Sequence, residues 1–178
     1  FHHGESMYDE VLRVPWIFRL PGVFPAGKRV TNQVRQLDLA PTILDVTLPG
    51  EALPRGMRGK SALPLARGDA STEPERPAYA KARFTRSIRV GGWKYVKRDG
   101  HTAQVMLKGR SVNLGEELFH VAVDPQEHKN LARDRPEMLA KLRELLKRYE
   151  EWLKSGAREI PSATMHLRLV GDKQPRHL

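Results

Sequence analysis

The feature that most constrains this chain is a long two-sided segment near its C-terminal end. Over residues 135–155, helical spacing puts Met138, Leu142, Leu145, Tyr149 and Trp152 on one side, and Leu139, Leu146 and Leu153 widen that stripe. A stripe this broad must be covered by a flat apolar surface. The helix has start and stop signals: Asp134 and Glu137 fit a capping-box spacing, Pro136 sits in the first turn, and Gly156 follows the last apolar residue. The covering surface is expected just upstream. Residues 79–84, 87–90 and 93–96 read as strands, and Gly91-Gly92 between the last two is a two-residue hairpin signal. Residues 104–107 and 118–121 are expected to add further strands.

The first part of the chain reads differently. Residues 14–20, Val-Pro-Trp-Ile-Phe-Arg-Leu, form an apolar run closed by Pro21-Gly22, the pattern of a strand buried on both faces of a parallel sheet. A second strand is expected near residues 29–34. A short helix over residues 39–46 is expected to take Asp38 as its N-cap and to bury a stripe of Leu39, Ile43 and Val46, with Pro41 tolerated in the first turn. Two strands and one helix cannot cover a parallel sheet, so this part reads as the remnant of a larger α/β unit. Residues 49–77 are dense in Pro and Gly and read as a surface connection with one helical turn at 61–66. The expected organisation is therefore 1–76, the end of a catalytic domain; 77–160, a sheet-and-helix subdomain; and 161–178, a tail.

With 178 residues the chain is long enough for a real core. It has no Cys, which excludes disulfides, thiolate metal sites and a Cys nucleophile within this stretch. A formal charge of +10 favours anionic partners. The Arg and Lys residues are scattered from Arg13 to Arg176 without a dense run interleaved with aromatics, so nucleic acid is not the expected partner. No run approaches the roughly 20 apolar residues of a membrane helix. The start, Phe1-His2-His3-Gly4-Glu5, has no initiating Met and reads as the interior of a longer chain. The local signatures of hydrolase elbows, phosphate loops, dinucleotide folds and zinc proteases are missing from the sequence. His2-His3 is the one His cluster, and adjacent side chains on an extended segment point apart, so local chemistry alone favours a solvent-exposed pair.

The order of segments adds a resemblance. His3-Gly4, then Met7-Tyr8-Asp9-Glu10, Arg13-Val14-Pro15-Trp16-Ile17 and Leu20-Pro21-Gly22, resembles the stretch "HG…LYEE…RVPLI…PG" of the sulfatase family. Leu37-Asp38-Leu39-Ala40-Pro41-Thr42-Ile43-Leu44-Asp45 is similar to its "DLAPTLLDL" helix, and residues 59–65 to its "GxSLLPLL" segment. Further on, Ser87-Ile88-Arg89 with Trp93-Lys94-Tyr95-Val96 resembles "SVRTGRWKYI". Residues 117–131, including Asp124-Pro125-Gln126-Glu127 and Asn130-Leu131, resemble "ELYDLAADPGExxNL". The resemblance runs over residues 1–155.

It implies the C-terminal part of an alkaline-phosphatase-like α/β sandwich, with a small antiparallel sheet packed on a C-terminal helix. It also implies an intact parent that hydrolyses sulfate esters, an anionic substrate class, with a divalent cation, calcium before magnesium. Phosphate or phosphonate ester hydrolysis, phosphoethanolamine transfer, and a noncatalytic basic module that binds anionic polymers are the alternatives. The family's Cys-or-Ser-x-Pro-x-Arg nucleophile motif does not occur in these residues. Nor do the Asp pair and the Asp-His or Asp-Asn pair that hold the cation, so no metal ligand is expected here, no cation is expected on this stretch alone, and the stretch alone is expected to be inactive. His3 matches the position of a family His or Lys that contacts the sulfuryl or phosphoryl oxygens, with His2 as the register alternative. Glu5, Asp9 and Glu10 match positions that are not ligands and are expected to be structural, and Arg13 and Asp38 are expected to make buried structural contacts. Nothing in the residues reports export, although exported bacterial enzymes are common among such proteins.

Overall fold

The computed structural model describes residues 6–69, 76–99, 105–107, 110–112 and 115–156. In chain order the elements are α1 (Asp9–Leu12), a 3-10 turn (Gln36–Asp38), α2 (Leu39–Thr47) and α3 (Leu63–Arg67), then β1 (Ala78–Lys81), β2 (Thr85–Val90), β3 (Trp93–Arg98), β4 (Val105–Leu107), β5 (Arg110–Val112), β6 (Glu116–His120) and α4 (Pro136–Ser155). Strands β1, β2, β3 and β6 form an antiparallel sheet in that order, and β4 pairs with β5 as a separate ribbon.

The sheet and α4 are the expected pair. Gly91 and Gly92 take φ of +57° and +76°, the left-handed geometry that a two-residue turn between twisted strands requires, and Val90 faces Trp93 across it. Alternation along the strands then sends Ile88, Val90, Trp93, Tyr95 and Leu118 to one side. There they meet Leu142, Leu145, Leu146, Tyr149 and Trp152 of α4 in a single buried core. Gly156 ends α4 at φ +74°. The capping box does not form, because the helix begins one residue later than expected: Arg135 is the N-cap, and Asp134 pairs with Lys129 at 3.6 Å.

The opposite face of the sheet is covered by the start of the described chain. Met7 packs with Val96, Phe119 and Val121 in a smaller apolar cluster flanked by Tyr8, Leu12 and Ala80. Around that cluster lie the charged side chains of β2, β3 and β6.

Three upstream expectations are corrected. Residues 14–20 form no strand, nor do residues 29–34. A strand needs a neighbour for its amides, and among the described residues no segment pairs with either run. The apolar side chains of the first run stay in contact with solvent, Ile17 being 89% exposed, and Trp16, Phe18 and Phe24 pack on one another. The helix α2 forms as expected, yet its Leu39 and Ile43 face solvent and Pro41 and Thr42 are buried instead. The polar requirements of Asp38 and Thr42, described below, turn the helix that way. Among the described residues no helix is long and apolar enough to cross a membrane.

Exposed apolar surface on residues 14–20 should bind a hydrophobic dye. Anilinonaphthalene sulfonate fluorescence is expected to rise with the chain, and the Ile17→Lys, Phe18→Ser double variant to remove about half of the rise, with far-UV circular dichroism unchanged. Equal dye binding by the double variant would contradict this assignment.

Candidate functional site

Strand β3 carries two chemistries. Trp93 and Tyr95 face α4, while Lys94, Val96 and Arg98 face the other way, toward residues 6–12. Lys94 sits in the middle of this face with only 1% of its side chain exposed. A cation out of water requires compensating anions. Its Nζ lies 2.8 Å from Asp9 Oδ1 and 2.7 Å from Glu127 Oε1. The backbone N–H of Asp9 donates to the other Glu127 oxygen at 2.6 Å, so the three residues close a ring. Arg89 adds a second cation, 2.5 Å from Asp9 Oδ2.

Glu127 reaches Lys94 through a constrained backbone. It has φ +54°, a left-handed conformation that costs a non-glycine residue about 1–2 kcal/mol. Its N–H closes the turn to the Asp124 carbonyl at 3.1 Å. Burial pushes the Glu127 carboxyl above the ordinary range, against the opposing pull of Lys94.

Tyr8 holds the same segment on its other side. Its hydroxyl donates to Glu117 Oε1 at 3.0 Å, Arg98 donates to Glu117 Oε2 at 2.9 Å, and the ring meets Phe119 edge-on. Burial first, and then the Glu117 charge, push the Tyr8 hydroxyl up to about 12, so it remains a donor at neutral pH. Residues 6–12 are thus attached to β3, β6 and the 124–127 turn by charge and by Met7.

A second ionic centre orders residues 33–63. The Asp38 side chain is wholly buried and accepts from Arg35 Nη2 at 2.8 Å, Arg35 Nε at 3.1 Å, the Arg35 amide at 3.0 Å and the Lys60 amide at 3.0 Å. Arg76 approaches to 3.4 Å. Burial would raise this carboxyl, but the Arg35 bonds outweigh it and hold it below the ordinary value. Asp38 therefore does not cap α2 with its side chain. One turn on, the Thr42 hydroxyl donates to the Asp38 carbonyl at 2.6 Å and accepts from the Ala62 amide at 2.9 Å. Gly59 lies so close that a Cβ there would overlap the Leu37 carbonyl. This explains Asp-Leu-Ala-Pro-Thr at 38–42 and Gly59 as one packed unit.

His2, His3 and Glu5 lie outside the described residues, which begin at Ser6. Asp9 and Asp38 have the structural roles expected of them, whereas Arg13 is exposed rather than buried, on the solvent side of the turn that follows α1. Lys94 and Glu127 were not singled out by the sequence reading. Among the described residues no group of three His, Asp or Glu side chains could hold a metal ion. The buried carboxylates of Asp9, Asp38, Glu117 and Glu127 each face Lys or Arg, so they do not fit a cation site.

Comparison with known proteins gives a consistent result. The model for the C-terminal region of N-sulphoglucosamine sulphohydrolase matches residues 1–154. Arylsulfatase K of Mus musculus is 30% identical over 155 residues, covering 80% of this chain and 26% of that protein. The delta 4,5-hexuronate-2-O-sulfatase of Bacteroides thetaiotaomicron is 34% identical over 159 residues, covering 81% and 30%. The chain thus spans about a quarter to a third of the length of these curated relatives. Among solved structures, Ps i-CgsB superposes with a TM-score of 0.56 at 21% identity, over 78% of this chain and 28% of that one. The same protein in complex with k-i-k-neocarrahexaose gives 0.55 at 22% identity. These two likenesses concern the fold.

The Asp38 centre makes a pH prediction. Because its carboxyl is held below the ordinary value near 3.8, its stabilisation is present above that pH and is lost as pH falls through the lower folded-state value. Asp38→Asn is expected to cost about 3–5 kcal/mol at pH 7 in urea denaturation, and the gap from the parent chain to narrow below about pH 3.8. A gap that stays constant from pH 7 to pH 2.5 would contradict the assignment.

Proposed function

The chain belongs to the sulfatase family, and from that premise we propose that it is the C-terminal unit of a hydrolase that cleaves sulfate esters. In this reading residues 1–76 complete the catalytic domain and 77–160 form the sheet-and-helix subdomain; residues 161–178, expected from the sequence to be a tail, lie outside the described residues. The observation that carries this reading is the attachment of residues 6–12 to the polar face of the sheet, directly after His2-His3. A catalytic group on a short segment needs a rigid support within a few residues.

In this reading His3 contacts the sulfuryl oxygens of an anionic substrate, and His2 stands beside it as the register alternative. When the S–O bond breaks, negative charge grows on the leaving oxygen, and a fixed imidazole N–H stabilises that charge or delivers the proton. A divalent cation, calcium before magnesium, would supply further charge stabilisation in the intact parent. The buried carboxylates of Asp38, Glu117 and Glu127 each face Lys or Arg, and in this reading the cation's ligands and the nucleophile come from other parts of the parent, with the 178-residue chain alone expected to be inactive. The relatives named as sulfatases support this substrate class over phosphate esters.

The test is to express the reading frame extended upstream of Phe1 and to assay it beside the 178-residue chain on 4-methylumbelliferyl sulfate and phosphate. The longer product is expected to hydrolyse the sulfate, the short chain to be silent, and His3→Ala to lower kcat of the longer product by about 100-fold or more. Hydrolysis of the phosphate alone, or an unimpaired His3→Ala variant, would overturn the proposal.

A further inference from the structure

The ring of Lys94, Asp9 and Glu127 does more than the core needs. The sheet face around it is lined by Met7, Val96, Phe119 and Val121, where an apolar side chain at position 94 would pack without any charge to compensate. Replacing a buried ion pair by apolar groups of similar volume is often neutral or stabilising, so the charges are not there for stability alone. What they supply is direction. Residues 6–12 contain one four-residue helix and form no strand, and their apolar grip on the sheet is essentially Met7 with Tyr8 and Leu12. A flat apolar contact of that kind tolerates sliding. The ring does not, since one ammonium binds the Asp9 carboxylate at 2.8 Å and the Glu127 carboxylate at 2.7 Å while Glu127 also accepts the Asp9 backbone amide at 2.6 Å. Side chain and main chain of the same residue are thus both fixed. The left-handed backbone at Glu127, φ +54°, is a local strain retained where it aims a carboxylate at this point.

We propose that Lys94 is a positioning residue: the ring it closes with Asp9 and Glu127 holds residues 6–12 at a single place relative to the sheet. It touches no reacting group. The consequence for catalysis rests on the reading of His3 given above; the attachment itself does not.

Two measurements separate these levels. In the first, hydrogen exchange is followed by mass spectrometry on the 178-residue chain and on the longer product. Lys94→Met alone leaves the buried Glu127 without its cation and Asp9 with Arg89 only, and is expected to loosen the fold, so the deciding variant is Lys94→Met, Asp9→Asn, Glu127→Gln, which removes all three charges of the ring together. Its peptides from β3 and α4 are expected to keep their protection while residues 6–12 exchange about 10-fold faster or more. Unchanged exchange in 6–12, or loss of protection spread evenly over the sheet and α4, would overturn the proposal.

In the second, kinetics of the longer product are measured on 4-methylumbelliferyl sulfate. The Lys94→Met, Asp9→Asn, Glu127→Gln variant is expected to lower kcat about 10-fold or more with KM within about 2-fold, and Lys94→Arg alone to keep most of the activity, because a displaced group that acts on the transition state is read in kcat. An Arg variant as impaired as the triple variant, or a loss confined to KM, would overturn the catalytic half. If the longer product with Lys94 intact hydrolyses no sulfate ester, the function proposed above fails, and the exchange result still decides the attachment.

Discussion

An ammonium removed from water must be met by anions, and much of the polar side of this sheet follows from that requirement at Lys94. Its two carboxylates come from far apart in the chain, one from the start of α1 and one from the turn after β6. Bringing them together fixes where the first described residues lie, and it accounts for a left-handed Glu at 127 where glycine is the residue best suited to that backbone. The other side of the same strand works by another rule. Trp93 and Tyr95 join the α4 core through apolar contact, so β3 links a packing layer to an ionic layer with a period of two residues.

The same division explains the two ionic centres as supports. Asp38 gathers Arg35, Arg76 and the Lys60 amide, and so ties the 3-10 turn and the 57–63 loop to the edge of the sheet, where Arg35 also reaches the Pro77 carbonyl. Gln33 adds bonds to the Arg76 and Arg89 carbonyls. Polar contacts therefore help hold the upstream residues to the subdomain beside the apolar contact of Met7, while other upstream apolar side chains, Ile17 and Ile43 among them, are turned outward. The two curated relatives compared above are about three times as long as this chain, and an outward apolar surface of this kind marks a face suited to contact with another protein surface.

Much of this was legible in the sequence where the signal is local. The stripe on α4, its Gly156 stop and the Gly91-Gly92 hairpin each depend on residues within a few positions of one another, and all three form as read. For residues 14–20 the sequence signal misleads because an apolar run signals burial without saying by what, and no described segment pairs with it. The stripe on α2 was misread for a different reason. Periodicity identified its apolar face, but the buried bonds of Asp38 and Thr42 decided which face turned inward. Lys94 was invisible because a lone Lys in an alternating strand looks like a solvent-facing position. Its partners at Asp9 and Glu127 have no spacing rule that connects them to it. The family phrases did contain all three residues, within "LYEE", "RWKYI" and "ADPGE", without saying that they meet.

The central claim is that charge at Lys94 holds residues 6–12 in one place, and a distance distribution tests it most directly. The chain has no Cys, so Glu10→Cys with Lys141→Cys accepts two spin labels at chosen positions and nowhere else. Pulsed electron paramagnetic resonance between α1 and α4 is predicted to give one narrow distribution in this background, and a broad or shifted one when Lys94, Asp9 and Glu127 are neutralised together. A narrow distribution that is unchanged on neutralisation would contradict the account, because Met7 and Tyr8 would then suffice to place the segment.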